Sequence, residues 1–271
     1  MQLHTIPAIL FVAACGNAIA QQPSATTGST GTAAQTQGSR WALGLGTAVS
    51  SSVYAGEDTR ITPFPLVSYE GERVFWRGIS GGARLVKRPG FTLDATLSAR
   101  MDGVDRDDFG EAELRERGID RSRLEDRDNG LDLGLAAGWR GAAGTLELEV
   151  KGDVSGASKG YEAGVKYAYP MQWGRTRVSP SVSVSHLSKK LANYYYGTLP
   201  EEVARGVRYY QTGSAAVPRI GVDLVHPFAG RWAFIANVSY RKLPNKLKES
   251  PLVEKDTDGV TSAFFGVSRG F

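Results

Sequence analysis

The ionisable side chains with the widest scope for chemistry recur at every second position of apolar segments. Glu147, Glu149 and Lys151 follow this rule, with leucine or valine between them. Because a β-strand directs alternate side chains to opposite faces, these charges would lie on one face of a sheet. There they form either cross-strand salt bridges or a polar conduit for small solutes, with little ion selectivity because both signs are present. The predicted polar face comprises Asp94, Arg100, Asp132, Arg140, Glu147, Glu149, Lys151, Glu162, Lys166, Arg177, Arg219, Asp223 and Arg241.

A histidine and a serine two positions apart form a second candidate. His186 and Ser188 would point the same way near the outer end of a strand, within hydrogen-bonding reach. An outward His-x-Ser pair of this kind acts in acyl hydrolases that attack lipid esters, where a third group orients the histidine. Asn193 is one nearby candidate for that task. The alternative is that both residues lie at the level of lipid headgroups, where Lys189 and Lys190 face phosphates.

A strongly charged segment, residues 102–129, holds eleven acids and six arginines, which gives a net charge of −5. Five of its residues match positions 1, 3, 6, 9 and 12 of a calcium-binding loop. Phe109 stands at position 5, where a ligand belongs, so we expect a solvated charged loop and no metal site. The helical spacing of Glu and Arg allows a short surface helix within residues 109–124. The residues that match the template are Asp105, Asp107, Gly110, Glu113 and Glu116.

Five tyrosines in residues 191–213 make up the last candidate. Exposed tyrosines give large contacts at a low entropic cost, which would suit a recognition surface. The alternative is that they fold inward as a lid. The residues are Tyr194, Tyr195, Tyr196, Tyr209 and Tyr210.

The elements that position these residues are predicted to be β-strands, because apolar and polar residues alternate from Trp41 onwards. A soluble sandwich also alternates. Against it, the strands are about 10–14 residues long, whereas strands in globular proteins average nearer six. Aromatic residues also cluster at strand ends, as in the girdles of membrane barrels. These residues are Trp41, Tyr54, Trp139, Tyr167, Tyr169, Trp232 and Tyr240.

Composition narrows the classes further. The 271 residues include 33 glycines and one cysteine, which excludes a disulfide scaffold or a cysteine-based zinc site. Beyond the first twenty residues, no apolar run of about 18 residues occurs, which excludes a helical membrane protein. Lysine and arginine are not clustered in runs, so we expect no nucleic-acid partner.

The N-terminus has the pattern of an export signal. A short apolar run precedes an Ala-x-Ala site, which predicts a signal peptide over residues 1–20 with cleavage after Ala20. The alternative is lipidation at Cys15. Residues 21–39 consist of Gln, Ser, Thr, Gly and Ala with few apolar groups, and we expect a flexible leader there.

We therefore predict an all-β fold, a transmembrane antiparallel β-barrel over residues 40–271. Twelve strands are expected if residues 73–88 divide at Ser80-Gly81-Gly82, and ten is the fallback number. Connections alternate in length, so short turns face the periplasm and long polar loops face outward. The short turns are predicted at 141–144, 170–174 and 227–230, and the long loops at 102–129, 191–213 and 244–259.

Several short motifs resemble one family. They are the segment 63–69 (PFPLVSY), the Tyr195-Tyr196-Gly197-Thr198 loop with Glu201, Gly206 and Tyr210, the segment 250–253 (SPLV) and the terminal Phe271. A last strand that ends in Phe271 also resembles the assembly signal of outer-membrane barrels, although Arg269 replaces the usual apolar residue. The chain is similar to the MipA/OmpV family of MltA-interacting outer-membrane proteins from about residue 40 to 271.

The resemblance implies a protein of the Gram-negative outer membrane. The family's named member is a scaffold that connects a murein transglycosylase with a murein synthase, and no catalytic residue or cofactor carries over. The expected partners also include outer-membrane lipid, lipopolysaccharide and the barrel assembly machinery. The alternatives are a narrow channel or solute-binding barrel, and an acyl hydrolase that uses His186 and Ser188.

Overall fold

A computed structural model of the protein describes residues 39–271. The predicted signal peptide, with Cys15 and Ala20, and the predicted leader up to residue 38 lie outside the described residues. The strands are β1 Trp41–Ser50, β2 Arg60–Glu70, β3 Val74–Arg77, β4 Ser80–Arg88, β5 Phe91–Arg100, β6 Gly130–Gly141, β7 Gly144–Asp153, β8 Tyr161–Ala168, β9 Met171–Trp173, β10 Thr176–Leu187, β11 Ala215–Ala229, β12 Trp232–Lys242 and β13 Gly259–Gly270. The α-helices are α1 Glu111–Glu116, α2 Lys189–Tyr196, α3 Pro200–Ala204 and α4 Asn245–Lys248.

The strands form one antiparallel sheet that closes on itself. The last strand, β13, pairs with β1, and every other strand pairs with its neighbours in chain order. Both β8 and β9 pair with β10, so they are two parts of one strand position. Pro170 separates them because it has no N–H to donate, while the Tyr169 amide still bonds to the Pro180 carbonyl at 3.0 Å. The barrel therefore has twelve strand positions, as predicted.

The prediction placed one turn wrongly. The β3–β4 turn lies at Gly78-Ile79, where Gly78 has a φ of +60°, and not at Ser80-Gly81-Gly82. Gly82 instead lies within β4, where a Cβ atom would collide with the Ala95 carbonyl oxygen and the Phe75 ring. The two glycines are thus explained by close packing in the barrel wall, Gly82 against the buried Phe75 and Gly81 against the exposed Trp76.

The hairpin of β3 and β4 is short and leaves part of β2 without a neighbour. Along β2, β3 pairs only with Ser68–Glu70. The Val67 carbonyl accepts a hydrogen bond from the Gly78 amide at 3.0 Å, which shows that this parity of β2 faces β3. Pro63 and Pro65 share that parity, so their nitrogens face the unpaired edge. A proline is tolerated there because no ladder hydrogen bond is lost.

The faces of the barrel follow the alternation. Leu43 and Leu45 are exposed on the lipid side, whereas Ala42 and Ala48 are buried inside. The aromatic residues exposed at the short-turn end form one girdle, and Tyr54 does not belong to it because it is buried among the loops. The girdle residues are Trp41, Trp139, Tyr167, Tyr169, Trp173 and Trp232. Within residues 39–271, no helix is long and apolar enough to cross a membrane.

The two ends of the barrel differ strongly. One end has turns of two or three residues, including 71–73, 142–143 and 230–231. The turn before β10 lies at residues 174–175 because β9 occupies most of the predicted turn 170–174. The other end carries the segments 51–59, 101–129, 188–214 and 243–258, which pack into a hydrophobic core. In the outer membrane the short turns face the periplasm and the long loops face outward.

Candidate functional site

An ion-pair network fills the lumen below the long loops, and Arg100 lies at its centre. Its Nη2 atom lies 2.6 Å from Asp132 Oδ2 and 2.8 Å from Glu162 Oε2, while its Nη1 atom lies 3.1 Å from Asp102 Oδ2. These residues come from β5, β6, β8 and the loop after β5, so the guanidinium ties three strands together. Asp132 is 1% exposed, which shows that the charges are compensated inside the protein and not by bulk water.

Two further groups extend this network around the wall. The Lys151 ammonium lies 3.7 Å from Glu149 and 3.9 Å from Glu162. On the other side, Lys166 lies 3.8 Å from Asp223, which also accepts a hydrogen bond from the Asn237 amide at 2.7 Å. The structure therefore brings six of the thirteen predicted residues together in ion pairs between strands and adds Glu149 through a pair within β7, which is the first of the two alternatives.

The alternation did not reveal a second ionic cluster near the periplasmic end. Glu70 accepts hydrogen bonds from Arg77 and Arg84, and both guanidinium groups lie over the Phe75 ring, at 4.3 and 5.4 Å from its centroid. The four-residue strand β3 is too short to show a period in the sequence. The one sequence feature that could have pointed to this cluster is the position of Glu70 at the end of the proline-rich strand.

Two predicted lumen residues lie elsewhere. Arg140 and Arg177 have the lumen-facing parity, but both are exposed at the periplasmic ends of β6 and β10. Alternation indicates a face and not a depth, which explains the error. Asp94 does lie inside the barrel, and its Oδ1 atom has no hydrogen-bond partner in the described part of the chain.

Small cavities remain between the lumenal side chains. One of about 30 Å³ lies beneath α2, lined by Arg100, Glu162, Tyr196, Arg219 and Arg241 among others. Another, of about 10 Å³, lies against Glu147 and Lys166. Spaces of this size hold one or two ordered waters. At this level the lumen is therefore occupied by side chains.

The long loops form a hydrophobic cap over the outer mouth of the barrel. We define the cap as the four segments 51–59, 101–129, 188–214 and 243–258. Phe109, Leu114 and Leu247 are almost fully buried in it. The Tyr54 hydroxyl donates to the Tyr195 carbonyl oxygen at 3.1 Å, and the Tyr54 ring packs against Phe109 with centroids 5.2 Å apart. Side chains from distant parts of the chain thus share one core.

The tyrosines of the third long loop belong mostly to this core. Tyr195 is 2% exposed and Tyr196 is 6% exposed, and burial raises the pKa of both hydroxyls. Tyr194 is partly buried, and its hydroxyl accepts a hydrogen bond from the Asp128 amide at 2.8 Å. Tyr210 donates to the Lys246 carbonyl oxygen at 2.9 Å, and Tyr209 is exposed. A recognition surface of five tyrosines is therefore wrong, and the lid alternative describes Tyr194, Tyr195 and Tyr196.

A fully buried ion pair lies at the centre of the cap. The Arg127 and Glu202 side chains are 1% and 0% exposed, and they form two parallel contacts of 2.8 and 3.0 Å. Glu202 also accepts hydrogen bonds from the amides of Glu125 and Leu199, at 2.8 and 2.7 Å. This pair was not predicted, because both residues lie in charged loops with no periodicity.

The predicted His-x-Ser pair does not form. His186 is exposed on the outward face of β10, whereas Ser188 is buried and begins α2 as its N-cap. The Ser188 hydroxyl oxygen accepts hydrogen bonds from the Tyr161 amide at 2.9 Å and the Leu191 amide at 3.4 Å. Because the strand ends at Leu187, the alternation that would align the two side chains stops between them.

The acidic segment 102–129 also differs from the calcium template. It folds into a 3-10 turn over residues 106–108 and the helix α1, and Phe109 between them is buried. In the part of the chain that the structure describes, no group of three or more His, Cys, Asp or Glu side chains is placed to hold a metal. Partial burial and the carboxylates of Asp108 and Asp126 raise the pKa of Asp105.

The C-terminal strand closes the barrel. The Phe271 amide donates to the Trp41 carbonyl oxygen at 2.9 Å, and the Phe271 side chain is exposed. Arg269 lies on the outward face with its guanidinium carbon 5.1 Å from the Phe271 ring centroid and 6.0 Å from that of Trp232. An arginine fits the usual apolar position because aromatic faces receive it.

Comparisons with known proteins show what the chain is similar to. A family model described as MltA-interacting protein MipA matches residues 43–271. The chain is 27% identical to the MltA-interacting protein of Escherichia coli (strain K12), over 82% of this chain and 88% of that relative. It is 26% identical to the outer membrane protein OmpV of Vibrio cholerae, over 94% and 96%. Among solved structures it is similar to the NanC porin at a TM-score of 0.47 and 8% identity, over 84% of this chain and 100% of that chain.

The relatives place the barrel in a membrane. Proteins from Escherichia coli, Vibrio anguillarum and Vibrio cholerae that match the chain are named outer membrane proteins. The exposed apolar band and the aromatic girdle are the surface that such a location requires. The protein is thus a β-barrel of the outer membrane, and, since the family model covers nearly the whole described chain, it belongs to the MipA family of MltA-interacting proteins.

Proposed function

We propose that the protein is a non-enzymatic interaction protein whose periplasmic end engages murein enzymes, first of all a lytic transglycosylase. The observation that carries this proposal is the filled lumen. Arg100, Asp132 and Glu162 occupy the interior as ion pairs, and the cap covers the outer mouth. A barrel with this interior offers its partners its two ends and not a passage.

The name of the relatives supports the choice of partner. The Escherichia coli relative is called MltA-interacting protein, and the match spans most of both chains. The family resemblance adds a murein synthase as a second partner. The proposal therefore assigns the periplasmic end to protein contacts with these two enzymes.

The remaining partners are those of the membrane itself. We propose that the terminal Phe271 is read by the barrel assembly machinery while the chain inserts. Exposed Lys189 and Lys190, at the outer end of β10, would face the phosphates of lipopolysaccharide.

Co-isolation after cross-linking tests the enzyme contact. The full chain, tagged and expressed in its own cells, is cross-linked in the periplasm, and the captured proteins are identified by mass spectrometry. We expect a lytic transglycosylase to be enriched over a control barrel of similar size. Repeated capture without a murein enzyme would contradict the proposal.

The channel alternative is tested separately with purified protein in a planar bilayer. Because the ion pairs of Arg100 lie in the lumen and the cap covers its outer mouth, we expect no conductance steps. Regular steps that persist after further purification would favour a narrow channel instead.

A further inference from the structure

The periplasmic end of the barrel carries a complete ring of positive charge, which we call the basic rim. Each turn at this end, taken together with the strand ends that flank it, holds at least one lysine or arginine, and so does each end of the described chain. All of these side chains are exposed. The residues of the basic rim are Arg40, Arg73, Lys87, Arg88, Arg140, Arg175, Arg177, Arg231 and Arg269.

Few acids offset this ring. Among residues 39–40, 71–73, 87–91, 140–144, 169–177, 229–232 and 268–271, Glu72 has the only acidic side chain. Glu70, just inside the barrel, is already bonded to Arg77 and Arg84. The opposite end is acidic, because residues 102–129 have a net charge of −5. The protein therefore presents opposite charges to the two sides of the membrane.

Most of the basic rim faces the periplasm and not the lipid around the barrel. Arg73, Arg175 and Arg231 lie in turns beyond the strand ends. Arg140 and Arg177 share the parity of the lumen-facing residues. Arg88 and Arg269 are different: Arg88 lies opposite the outward Phe91 in the strand ladder, and Arg269 stacks on outward aromatic rings. A ligand that contacts the rest of the ring must therefore approach from below.

The rim is flat and broad. Twelve strands about 4.8 Å apart and tilted by about 40° close a barrel of about 12 Å radius, and side chains widen its end to roughly 800 Å². That is about the area per partner of a standard interface. Since the turns contain two or three residues, they form no deep pocket. Charges spread evenly over a flat ring fit an extended polyanion better than a single protruding group.

We propose that the basic rim binds murein directly, through the carboxylates of its peptide stems. This inference rests on the proposed function in one respect: both assume that the periplasmic end of the barrel lies next to the cell wall. Each exposed ion pair contributes little and is screened by salt. Binding thus depends on many weak contacts at once and is sensitive to ionic strength.

Sedimentation with purified murein sacculi tests the proposal. The full chain in detergent is mixed with sacculi at low salt, and the bound fraction is measured. The test variant combines Arg73→Gln, Arg140→Gln, Arg175→Gln and Arg231→Gln. The control removes the same charge from the opposite end through Lys159→Gln, Arg208→Gln, Lys246→Gln and Lys255→Gln, which are exposed loop residues. Heat-dependent gel mobility shows that both variants retain a folded barrel.

We expect binding of the rim variant to be on the order of tenfold weaker than that of the parent, and binding of the control to be unchanged. Raising the salt from about 0.05 M to about 0.3 M should weaken the binding of the parent protein to sacculi in the same way. Equal binding by both variants would overturn the proposal. The proposal would also be overturned if the rim variant bound sacculi normally and lost only its binding to vesicles of phosphatidylglycerol, since the basic rim would then bind lipid.

Co-isolation of the transglycosylase with the same variants separates the two proposals. If the rim variant loses sacculi but retains the enzyme, both proposals stand. If it retains sacculi but loses the enzyme, the ring binds an acidic protein surface, and direct murein binding is wrong. If the parent binds sacculi but never captures the enzyme, only the proposed function fails.

Discussion

The buried pair of Arg127 and Glu202 gives the sharpest test of how the cap is held together. The change is Glu202→Gln, which alters the charge and hardly alters the volume. Glu202 accepts four hydrogen bonds, two from Arg127 and two from backbone amides. A glutamine has one acceptor oxygen, and its amide group would face another donor. The substitution leaves the Arg127 guanidinium buried without a counter-charge.

The expected cost follows from this arrangement. Removing one partner of a buried ion pair destabilises a protein by about 3–5 kcal/mol. The loss affects the cap and not the strands, which are held by their own hydrogen-bond ladders. Because each 1.4 kcal/mol is a factor of about ten, the equilibrium for opening the cap should rise by two to three and a half orders of magnitude.

Hydrogen exchange read by mass spectrometry measures this opening. We expect amides in residues 189–204 and 121–127 to lose protection while amides in the barrel strands keep theirs. The matched control is Glu201→Gln, because the neighbouring residue is exposed and should change stability by less than about 0.5 kcal/mol. In the double variant Arg127→Met with Glu202→Leu, most of the protection should return.

Two outcomes would refute the reasoning. Protection in Glu202→Gln that falls by less than tenfold would show that the pair does not hold the cap. Costs of Arg127→Met and Glu202→Leu that simply add in the double variant would show that the two residues are not coupled.

Further predictions concern the lumen, the wall and the loops. Arg100→Gln leaves several buried carboxylates without their main partner, so it should lower the temperature of heat-modified gel mobility, with a cost of about 3–5 kcal/mol. Gly44→Ala should lower it too, because a Cβ there would collide with the carbonyl of the facing strand, whereas Gly141→Ala has open space and should not. Ser188→Ala removes the N-cap of α2 and should cost about 0.5–2 kcal/mol in local exchange, with no change in lipase activity. The raised pKa of Asp105 means that the folded state binds this proton more tightly than the unfolded chain. Proteolysis of residues 102–129 should therefore slow as the pH falls through that pKa, and Asp105→Asn should abolish this change.

The strands could be predicted from the sequence because alternate side chains of each strand face lipid and lumen, which produces the alternation of apolar and polar residues. Asp132, Lys151 and Glu162 were placed on the lumenal face by parity alone. Alternation does not show how far along the barrel axis a side chain lies. Arg140 was therefore expected inside the lumen, although it lies at the rim. The glycines of β4 misled the prediction of the turn, because packing and turning use the same residue type.

The cap could not be predicted because its contacts join distant loops that have no period. Arg127 and Glu202 are 75 positions apart, and each lies in a segment that reads as a solvated charged loop. Tyr54 was assigned to the girdle because it follows a strand, but the short loop after β1 turns it inward. Such contacts depend on closure of the barrel, which brings distant loops together, so local sequence patterns do not predict them.

Because the cap is built from four separate loops, we expect it to form late in the biogenesis of the barrel. Tyr54 bridges to Val253 and bonds to Tyr195, so the core of the cap needs residues from both ends of the chain at once. Contacts of such long range form late in folding. We expect the outer surface of the cap to exist only after β13 has joined β1. An antibody that recognises the cap would therefore distinguish finished barrels from chains still being inserted.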